Sequence, residues 1–463
     1  MASSGELNND GLPLTSNSDP MEQPLTQQIP RDGRPLSLKE RLKGGGYRAI
    51  QRCAKGLAPQ DVQKLVSESG LRGRGGAGFP TGMKWNFVPM GQDAPRPKYI
   101  IANADEMEPG TFKDRVLLEG DPHGMVESMI VAGYALQAEV GFIFLRAEYR
   151  LAFERLRTAI GEAYAEGYLG RPLPGCDFRF DLYLHESAGR YICGEETALL
   201  NALEGKRAIP RAKPPYPQTV GLWGKPTVVQ NVETLYNVPH IVNRGAAWFR
   251  GLSRSKDGGT KLYGISGRVA RPGWWELPLG TTARELLEDH AGGMFNGFTF
   301  RGLLPGGAST PFLVEQHLNL PMDFSSIPAD VGRLGTGCMI VLDDQTCPLG
   351  LLLNLERFFA RESCGWCTPC REGLPWVARI LDAFEEGHGS MDDLGLLEMH
   401  ASLLGPGHTF CALAPGAVEP LQSALSYFRD DFIRHIRLGG CPWRPYGRSG
   451  GRRRVPVLKE IPA

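Results

Sequence analysis

The sequence predicts an α/β fold built from three consecutive units, and three patterns support this prediction. Apolar strands alternate with helical stretches between residues 98 and 203, which indicates a parallel sheet with helices on both faces. Short β-type runs surround one helix between residues 258 and 343, as in a small α+β domain. Four amphipathic segments follow residue 348, and a four-helix bundle is the simplest way to pack them.

The composition is that of a globular chain without a dominant charge. Hydrophobic residues make up 42% of the 463 residues, and 51 lysines and arginines balance 51 aspartates and glutamates. The chain therefore has no overall electrostatic field that favours binding to nucleic acid or to an anionic membrane surface. No apolar run approaches the roughly 18 residues of a membrane span, and residues 1–30 lack the pattern of a signal peptide. We expect a cytosolic protein in which the ten cysteines do not form a disulfide framework, and in which the closely spaced ones serve as metal ligands or redox groups.

The predicted units divide the chain as follows. Residues 1–34 are polar and aperiodic, so we expect a disordered arm or a strap over a neighbour. The parallel-sheet unit covers residues 35–257, and its ligands should bind at the carboxyl ends of the strands. Residues 258–343 form the small α+β unit, residues 344–440 the bundle, and residues 441–463 a basic tail that we interpret as solvated. The bundle helices are expected near residues 349–360, 374–386, 391–403 and 417–437.

A group of cysteines in the third unit predicts an iron–sulfur cluster. Cys364, Cys367 and Cys370 lie close enough for one turn of backbone to direct three sulfurs at one cluster. Cys411, in a loop before the last helix, is the expected fourth ligand, and Cys441 is the alternative. Structural zinc is the other possible occupant, but zinc sites usually pair two separated Cys-x-x-Cys motifs. The lone thiols are interpreted as structural, namely Cys53, Cys176, Cys338 and Cys347.

A glycine-rich segment, Gly-Arg-Gly-Gly-Ala-Gly at residues 73–78, predicts a ligand-binding loop. Its glycines expose successive backbone N–H groups and allow a planar ring or a phosphate to approach closely. Arg74 and Lys84 add positive charge nearby. A predicted helix precedes the segment and Pro80 follows it, so it does not fit a dinucleotide-binding Rossmann turn. A plain flexible loop is the alternative interpretation.

Acidic side chains follow the first predicted strand. Asp105, Glu106 and Glu108, together with Asn103, lie where the fold rule places ligand contacts. Three carboxylates do not suit a phosphate, but they suit donors such as ribose hydroxyls, ring N–H groups or a carboxamide. The alternative is a solvated acidic turn.

Two further segments carry candidate ligand contacts. Tyr191 precedes Gly194, Glu195 and Glu196 at the start of a helix, where the helix dipole favours an anion and also suits paired glutamates. Downstream, Lys213 and Tyr216 lie on a stiff proline-rich segment, so Tyr216 is available to stack on a ring. Lys213 taken alone is equally an ordinary surface lysine.

Taken together, these motifs resemble the NADH-binding flavoprotein subunits of bacterial respiratory complex I. The likeness extends from about residue 42 to residue 434 and rests on five segments, at residues 73–85, 103–115, 189–201, 213–235 and 362–373. The resemblance implies a Rossmann-like FMN domain, then a ubiquitin-like β-grasp domain, then a four-helix bundle that carries one 4Fe-4S cluster. It also implies that NADH gives a hydride to FMN, which passes single electrons to the cluster and on toward quinone.

The resemblance also assigns site residues. No side chain acts as a nucleophile or general base, and Glu106 and Glu196 would position NADH as well as border the flavin. The residues implied for FMN are Gly73, Arg74, Gly75, Gly76, Lys84, Asn103, Asp105, Glu106, Tyr191, Gly194, Glu195, Glu196, Asn231 and Thr234. Those implied for NADH are Phe79, Phe87, Glu108, Lys213 and Tyr216. Those implied for the cluster are Cys364, Cys367, Cys370 and Cys411.

Two positions depart from the family pattern, because Tyr216 stands where phenylalanine is frequent and Gln230 where asparagine is frequent. The implied partners are a thioredoxin-like 2Fe-2S subunit and a large multi-cluster subunit, in the peripheral arm of a complex attached to the inner membrane. The alternatives are a diaphorase subunit of a soluble NAD-linked hydrogenase or formate dehydrogenase, and a non-catalytic cluster scaffold without flavin. We further predict that Glu196 disfavours NADPH by charge repulsion.

Overall fold

The computed structural model describes residues 21–173 and 175–444. Residues 1–20 of the predicted arm and residues 445–463 of the predicted tail lie outside these ranges. Within the described residues the chain forms two four-stranded sheets and 16 α-helices. None of these helices is both long and apolar enough to cross a bilayer.

The first sheet is entirely parallel, which confirms the predicted α/β class. Its strands are β1 (Tyr99–Ala104), β2 (Val140–Leu145), β3 (Asp181–Glu186) and β4 (Thr227–Asn231), in the order β3-β2-β1-β4. The strand β4 was not predicted from the sequence; its five residues directly follow a segment that contains Gly221, Gly224 and Pro226. Because β4 pairs with β1, its last residue, Asn231, lies beside Asn103 at the carboxyl edge of the sheet.

Ten helices accompany this sheet. The central one is entirely buried and supplies much of the core between the sheet and the outer helices. The helices are α1 (Leu38–Lys43), α2 (Arg48–Ala54), α3 (Pro59–Glu68), α4 (Thr81–Asn86), α5 (Lys113–Gly120), α6 (Pro122–Leu136, the central helix), α7 (Arg150–Ala165), α8 (Glu196–Leu203), α9 (Val232–Arg244) and α10 (Ala246–Gly251).

The second sheet is mixed and belongs to the small α+β unit. Its strands are β5 (Thr260–Ser266), β6 (Gly273–Pro278), β7 (Phe300–Leu304) and β8 (Cys338–Asp343), in the order β6-β5-β8-β7. The two central strands, β5 and β8, run parallel, and each has an antiparallel outer neighbour. The short helix α11 (Ala283–Glu285) continues into one π-helical turn at Leu286–His290.

Five helices follow the second sheet. The segment expected as one helix at residues 417–437 is two, because the backbone leaves the helical region at Phe428 (φ −122°). The Phe428 ring packs edge-on against Phe312 with centroids 5.2 Å apart, so its burial fixes the break. The helices are α12 (Pro348–Glu362), α13 (Thr368–Glu386), α14 (Met391–Leu403), α15 (Leu413–Tyr427) and α16 (Arg429–Leu438).

The described part of the N-terminal arm lies across the chain itself. Glu22 pairs with Arg244 of α9, and the backbone N–H groups of Leu25 and Thr26 donate to the buried Glu276 carboxylate at 3.0 and 2.9 Å. Since Glu276 belongs to β6, this segment ties the first unit to the second sheet.

Candidate functional site

A cleft at the carboxyl edge of β1 and β4 contains two connected cavities. The outer cavity has a volume of about 800 Å³ and the inner one about 370 Å³. Both are bordered by the same five residues, which mark the junction between them: Gly75, Ala77, Asn103, Gly194 and Asn231. The strand ends therefore form the cleft that the parallel-sheet rule predicts.

The glycine segment forms one wall of this junction, between α3 and α4. A Cβ atom at Gly75 would approach the Asn231 Cβ to 3.2 Å, so a side chain there would require Asn231 to move by a few tenths of an ångström. Gly78 has a φ of +64°, and a Cβ there would lie 2.5 Å from the Phe324 ring. The loop is thus an ordered cradle with its backbone exposed to the cleft.

Two residues implied for FMN lie behind this loop and do not border the cleft. The Arg74 guanidinium is fully buried and donates to the carbonyl oxygens of Gly258 and Thr260 at 2.6 and 3.1 Å. The Thr234 hydroxyl accepts from the Arg74 backbone N–H at 2.8 Å. Both residues therefore hold the loop in place from its rear side.

The acidic residues after β1 have different surroundings. Asp105 borders the inner cavity, and its carboxyl group is buried there. Burial raises the pKa of Asp105 to about 7, against the lowering effect of the Ser187 hydroxyl. Glu106 accepts from the backbone N–H groups of Asp114 and Arg115 at 2.8 and 3.1 Å, so it caps the start of α5.

Glu108 and Tyr191 connect the inner cavity to the helical unit, which consists of helices α12–α16. The Tyr191 hydroxyl donates to Glu108 Oε2 at 2.7 Å, and the Ser309 N–H donates to Oε1 at 2.6 Å. The Tyr191 ring packs edge-on against Phe358 and Phe359 of α12, with centroids 5.2 and 5.9 Å away. Burial raises the pKa of Glu108 in spite of these hydrogen bonds.

Two lysines and two glutamates meet where β4 and α8 face each other. Glu196 Oε2 lies 2.7 Å from the Lys84 Nζ atom, and its Oε1 lies 2.8 Å from Lys213 Nζ. Although burial opposes ionisation, the two lysines lower the pKa of Glu196. Glu195 caps α8, where its Oε2 accepts from the N–H groups of Thr197 and Ala198, both at 2.9 Å. The outer cavity thus contains a charged cluster in which two cations share one carboxylate.

Three aromatic side chains stand at the outer cavity and remain largely exposed. Phe79, Phe87 and Tyr216 have 46%, 55% and 56% of their surface accessible. Exposed rings around a cavity of this size are typical of a site for a planar ligand. Gln230 borders the same cavity, and its side-chain N–H donates to the Thr81 hydroxyl at 3.3 Å.

The four cysteines implied as cluster ligands come together at one end of α13. Cys364 and Cys367 lie in the loop between α12 and α13, Cys370 lies in the first turn of α13, and Cys411 lies just before α15. Burial raises the pKa of Cys370 to about 12, with further raising effects from the charges of Cys367, Cys411 and Cys364. Cys411 also borders the inner cavity, so the set of four cysteines adjoins the cleft.

Cys441, the alternative fourth ligand, lies elsewhere. Its interacting neighbours are Cys347, His435 and Glu385 and do not include the three thiols of the 364–370 loop. The arrangement therefore favours Cys411 over Cys441 as the fourth sulfur.

A buried ionic network beneath the inner cavity was not predicted from the sequence. Lys113 Nζ lies 2.6 Å from Asp114 Oδ1 and 2.9 Å from Glu233 Oε2, and Lys261 Nζ lies 2.8 Å from the same Glu233 oxygen. Burial works against ionisation of Glu233, but Lys113, Lys261 and Arg74 lower its pKa to about 2. Asn231 joins the network by donating to Asp114 Oδ2 at 2.7 Å. Residues so far apart in sequence carry no local signal of their pairing.

The cleft can hold a flavin, and the four cysteines can hold an iron–sulfur cluster. The exposed backbone of the glycine loop and the buried Asp105 carboxyl match the acceptors and donors of a flavin ring. Four convergent thiols match the ligand set of a 4Fe-4S cluster. The residues that border the cleft include no serine, histidine and aspartate grouping suited to covalent catalysis.

Comparisons with known proteins agree with this arrangement. Residues 66–240 match the family model described as the Nuo51 FMN-binding domain. Residues 350–435 match the NADH-ubiquinone oxidoreductase-F iron-sulfur binding region.

Individual relatives are similar over most of their length. The chain is 54% identical over 418 residues to the NADH-quinone oxidoreductase-F protein of Escherichia coli, covering 90% of this chain and 94% of that protein. It is 47% identical over 403 residues to the corresponding protein of Mycobacterium tuberculosis, covering 86% and 90%. Among solved structures, an NAD⁺-reducing [NiFe]-hydrogenase chain matches with a TM-score of 0.76 and 34% identity, covering 89% of this chain and 70% of that one.

Proposed function

The chain belongs to the NADH-quinone oxidoreductase-F family, and we propose on that basis that it oxidises NADH in the outer cavity of the cleft. It is the NADH dehydrogenase subunit of respiratory complex I, with FMN and one 4Fe-4S cluster as cofactors and NADH as substrate. FMN, when bound, accepts two electrons as a hydride and releases them one at a time to the cluster. The alternative of a scaffold without flavin does not fit this membership.

The observation that carries the proposal is the continuity of the cleft. The inner cavity is bordered at one side by the glycine loop and Asn103, and at the other by Cys411. A flavin at the junction would therefore lie between the substrate cavity and the cluster ligands. Electron transfer requires that the flavin lies close to both the substrate and the cluster. It does not require a side chain that reacts.

The residues of the outer cavity position the substrate. We propose that Phe79, Phe87 and Tyr216 enclose the rings of NADH and exclude water from them, since all three border the cavity with half-exposed rings. Lys213 and Glu196 are placed to bind its polar groups because both are fixed by their mutual ion pair at 2.8 Å. Glu106 and Glu108 accept from donors within the protein, so their part is to shape the flavin side of the cleft.

We also propose a fold for each of the two smaller units of the chain. The small unit around β5–β8 would be a β-grasp domain, supported by its mixed sheet with two parallel central strands and one short helix. The helices α12–α16 would form a bundle with a four-helix core that holds the cluster, supported by the shared hydrophobic core of these helices.

The electron-accepting partners would be further iron–sulfur subunits in the peripheral arm of the complex, on the cytoplasmic side of the inner membrane. Trp366 and Phe410 adjoin the cluster cysteines and are 59% and 43% exposed. Exposed aromatic side chains beside the cluster are suited to a protein interface. We propose that the first acceptor subunit docks on these two rings.

A matched pair of variants tests the substrate cavity. Tyr216→Ala should raise the KM for NADH several-fold in NADH:ferricyanide assays, because the ring that encloses the substrate is lost. Tyr183→Ala is the control, since Tyr183 is similarly exposed, at 51%, but does not border either cavity. Equal KM values for both variants would contradict the proposed position of NADH.

The similarity to the NAD⁺-reducing hydrogenase supports one alternative, a diaphorase subunit with another electron partner. Cell membranes that lack this chain should lose NADH-driven quinone reduction if the main proposal is correct. Loss of hydrogen- or formate-dependent NAD⁺ reduction, with quinone reduction intact, would support the alternative instead.

A further inference from the structure

A second group of metal-binding side chains lies in the helical unit, apart from the cysteines of the proposed iron–sulfur cluster. Cys347 caps α12, Glu385 lies near the end of α13, His435 lies in α16, and Cys441 follows that helix. One ligand atom from each of the four lies within 4.8 Å of all the others. All four residues are buried, with at most 7% of their surface accessible.

The spacing of these atoms is close to that of a tetrahedral coordination shell. Cys347 Sγ lies 3.0 Å from Glu385 Oε1 and 3.4 Å from His435 Nε2, and His435 Nε2 lies 3.4 Å from Glu385 Oε1. Zinc bonds of about 2.0–2.3 Å at tetrahedral angles separate neighbouring ligand atoms by roughly 3.3–3.8 Å. A small contraction or expansion of the group would therefore accommodate an ion.

The surroundings fix the orientation that a ligand requires. His435 Nδ1 lies 2.6 Å from the Asp431 carbonyl oxygen, which can only accept, so Nδ1 carries a proton and Nε2 is the ring nitrogen that faces the centre of the group and would bind an ion. The Gly350 N–H donates to Cys347 Sγ at 3.3 Å, which holds this sulfur at the start of α12. The Trp443 ring stacks on His435 with centroids 6.0 Å apart and closes the outer side.

We propose that Cys347, Cys441, His435 and Glu385 bind one structural zinc ion. Two sulfurs, one imidazole and one carboxylate form a closed four-ligand set, which is typical of structural zinc rather than of magnesium or calcium. The ion would join the end of α16 to the first turn of α12 and the last turn of α13. It would take no part in electron transfer, and the proposal does not depend on the function assigned to the cleft.

Two arrangements without a metal compete with this proposal. A disulfide between Cys347 and Cys441 would consume both sulfurs, but it gives no reason for a buried carboxylate and a histidine lone pair to converge on the same point. A cluster without an ion would be held by hydrogen bonds and charge pairing alone, with the Cys347 thiol donating to Glu385 at 3.0 Å and His435 at 3.4 Å from the same carboxylate oxygen. An ion accounts for the convergence of all four side chains.

Metal analysis of the full-length chain, purified with its flavin and iron, tests the proposal. We expect one equivalent of zinc per chain in addition to the cluster iron, or uptake of one equivalent from added Zn²⁺. Absorption fine structure at the zinc edge should show two sulfurs at about 2.3 Å and two nitrogen or oxygen atoms at about 2.0–2.1 Å. Flavin and iron do not contribute at this edge, so the measurement reports on this site alone.

Variants then locate the ion. Cys441→Ser and His435→Gln should each lower the zinc content at least tenfold and lower the midpoint of thermal unfolding by about 4 °C or more. Their iron and flavin contents should stay at the wild-type level. Cys176→Ser is the control, because Cys176 is a free thiol outside the group.

Several results would each overturn the proposal. They are a wild-type chain that neither contains nor takes up zinc, a disulfide between Cys347 and Cys441 found by mass spectrometry, and full zinc retention in both ligand variants. If the variants do not fold, the zinc-edge spectrum of the wild-type chain still decides, since a shell without sulfur contradicts it.

Discussion

The Lys84 ammonium nitrogen lies 2.7 Å from the Glu196 carboxylate in the outer cavity of the cleft. Lys213 approaches the other oxygen of that carboxylate at 2.8 Å, so one negative charge is shared by two positive ones. The cavity is therefore less repulsive to a phosphate than Glu196 alone suggests. Neutralising Glu196 would leave Lys213 with only its ion pair to Glu195 at 3.2 Å, and Lys84 with only the Val229 carbonyl oxygen at 2.8 Å.

Replacing Glu196 with glutamine should consequently relax the selectivity for NADH. We expect the ratio of kcat/KM for NADPH over NADH to rise about tenfold, which corresponds to about 1.4 kcal/mol. Steady-state assays with both nucleotides and ferricyanide measure this ratio. Glu148→Gln, at an exposed carboxylate that pairs with Arg146 outside the cleft, is the control and should change nothing. An unchanged ratio in Glu196→Gln would show that this carboxylate does not discriminate against NADPH.

Flavin binding should depend on pH through Asp105. Its pKa is raised to about 7 by burial, and a ring N–H of the flavin would stabilise the ionised form. Since flavin would bind the carboxylate, affinity is fully developed above pH 7 and falls about tenfold per pH unit below it. Fluorescence titration of FMN with flavin-depleted chain between pH 5.5 and 8.5 measures this slope.

The matched variants for this prediction are Asp105→Asn and Asp93→Asn. Asp105→Asn should bind FMN more weakly at pH 8 and with no slope through pH 7. Asp93 is exposed and remote from the cleft, so Asp93→Asn should reproduce the wild-type curve. A slope that survives in Asp105→Asn would assign the pH dependence to another group.

The two candidate fourth ligands can be separated by their effect on iron. Cys411→Ser should lower the iron and sulfide content of the purified chain and abolish the four-iron EPR signal of the reduced protein, while FMN stays bound. Cys441→Ser should leave iron unchanged, because Cys441 neighbours Cys347 and His435 instead. The opposite pattern would reverse the assignment of the fourth sulfur.

The ionic network around Glu233 should contribute strongly to stability. Glu233→Gln leaves the fully buried Lys113 and Lys261 without their shared partner, which costs about 3–5 kcal/mol in the free energy of unfolding. Urea denaturation at pH 7 measures this loss. Glu315→Gln, at a carboxylate that is 68% exposed and pairs with Arg284, should cost less than about 1 kcal/mol.

The contribution of Glu233 to the free energy of unfolding should also depend on pH, and comparison of the wild type with Glu233→Gln measures this dependence. The folded-state pKa of Glu233 is about 2, below its ordinary value of 4.5. Its stabilising contribution is therefore complete above pH 4.5 and is lost as the pH falls from 4.5 toward 2. The stability difference between wild type and Glu233→Gln should shrink over that window. A difference that stays constant would mean that Glu233 is not ionised in the folded chain.

Much of the candidate site was predictable because its residues follow local rules. The alternation of strands and helices predicted the parallel sheet, and the positions of Asn103 at the end of β1 and of Asp105 just after it placed both at its carboxyl edge. The three cysteines of the 364–370 loop are close in sequence, so their convergence needed no tertiary information. The strand β4 was not predicted because its five residues, which follow Pro226 and run directly into α9, carry too weak a pattern.

The sequence by itself determined which chemistry is available, since glycines, thiols and carboxylates are visible as letters with fixed spacing. The tertiary structure decided which side chains face the cleft and which hold its glycine loop in place from the rear side, because that depends on contacts between distant segments. Arg74 lies in the glycine loop, yet its guanidinium points to Gly258, 184 residues away. Glu233 and Lys261, and equally Cys347 and Cys441, meet only because the chain folds, and no local pattern encodes such pairings.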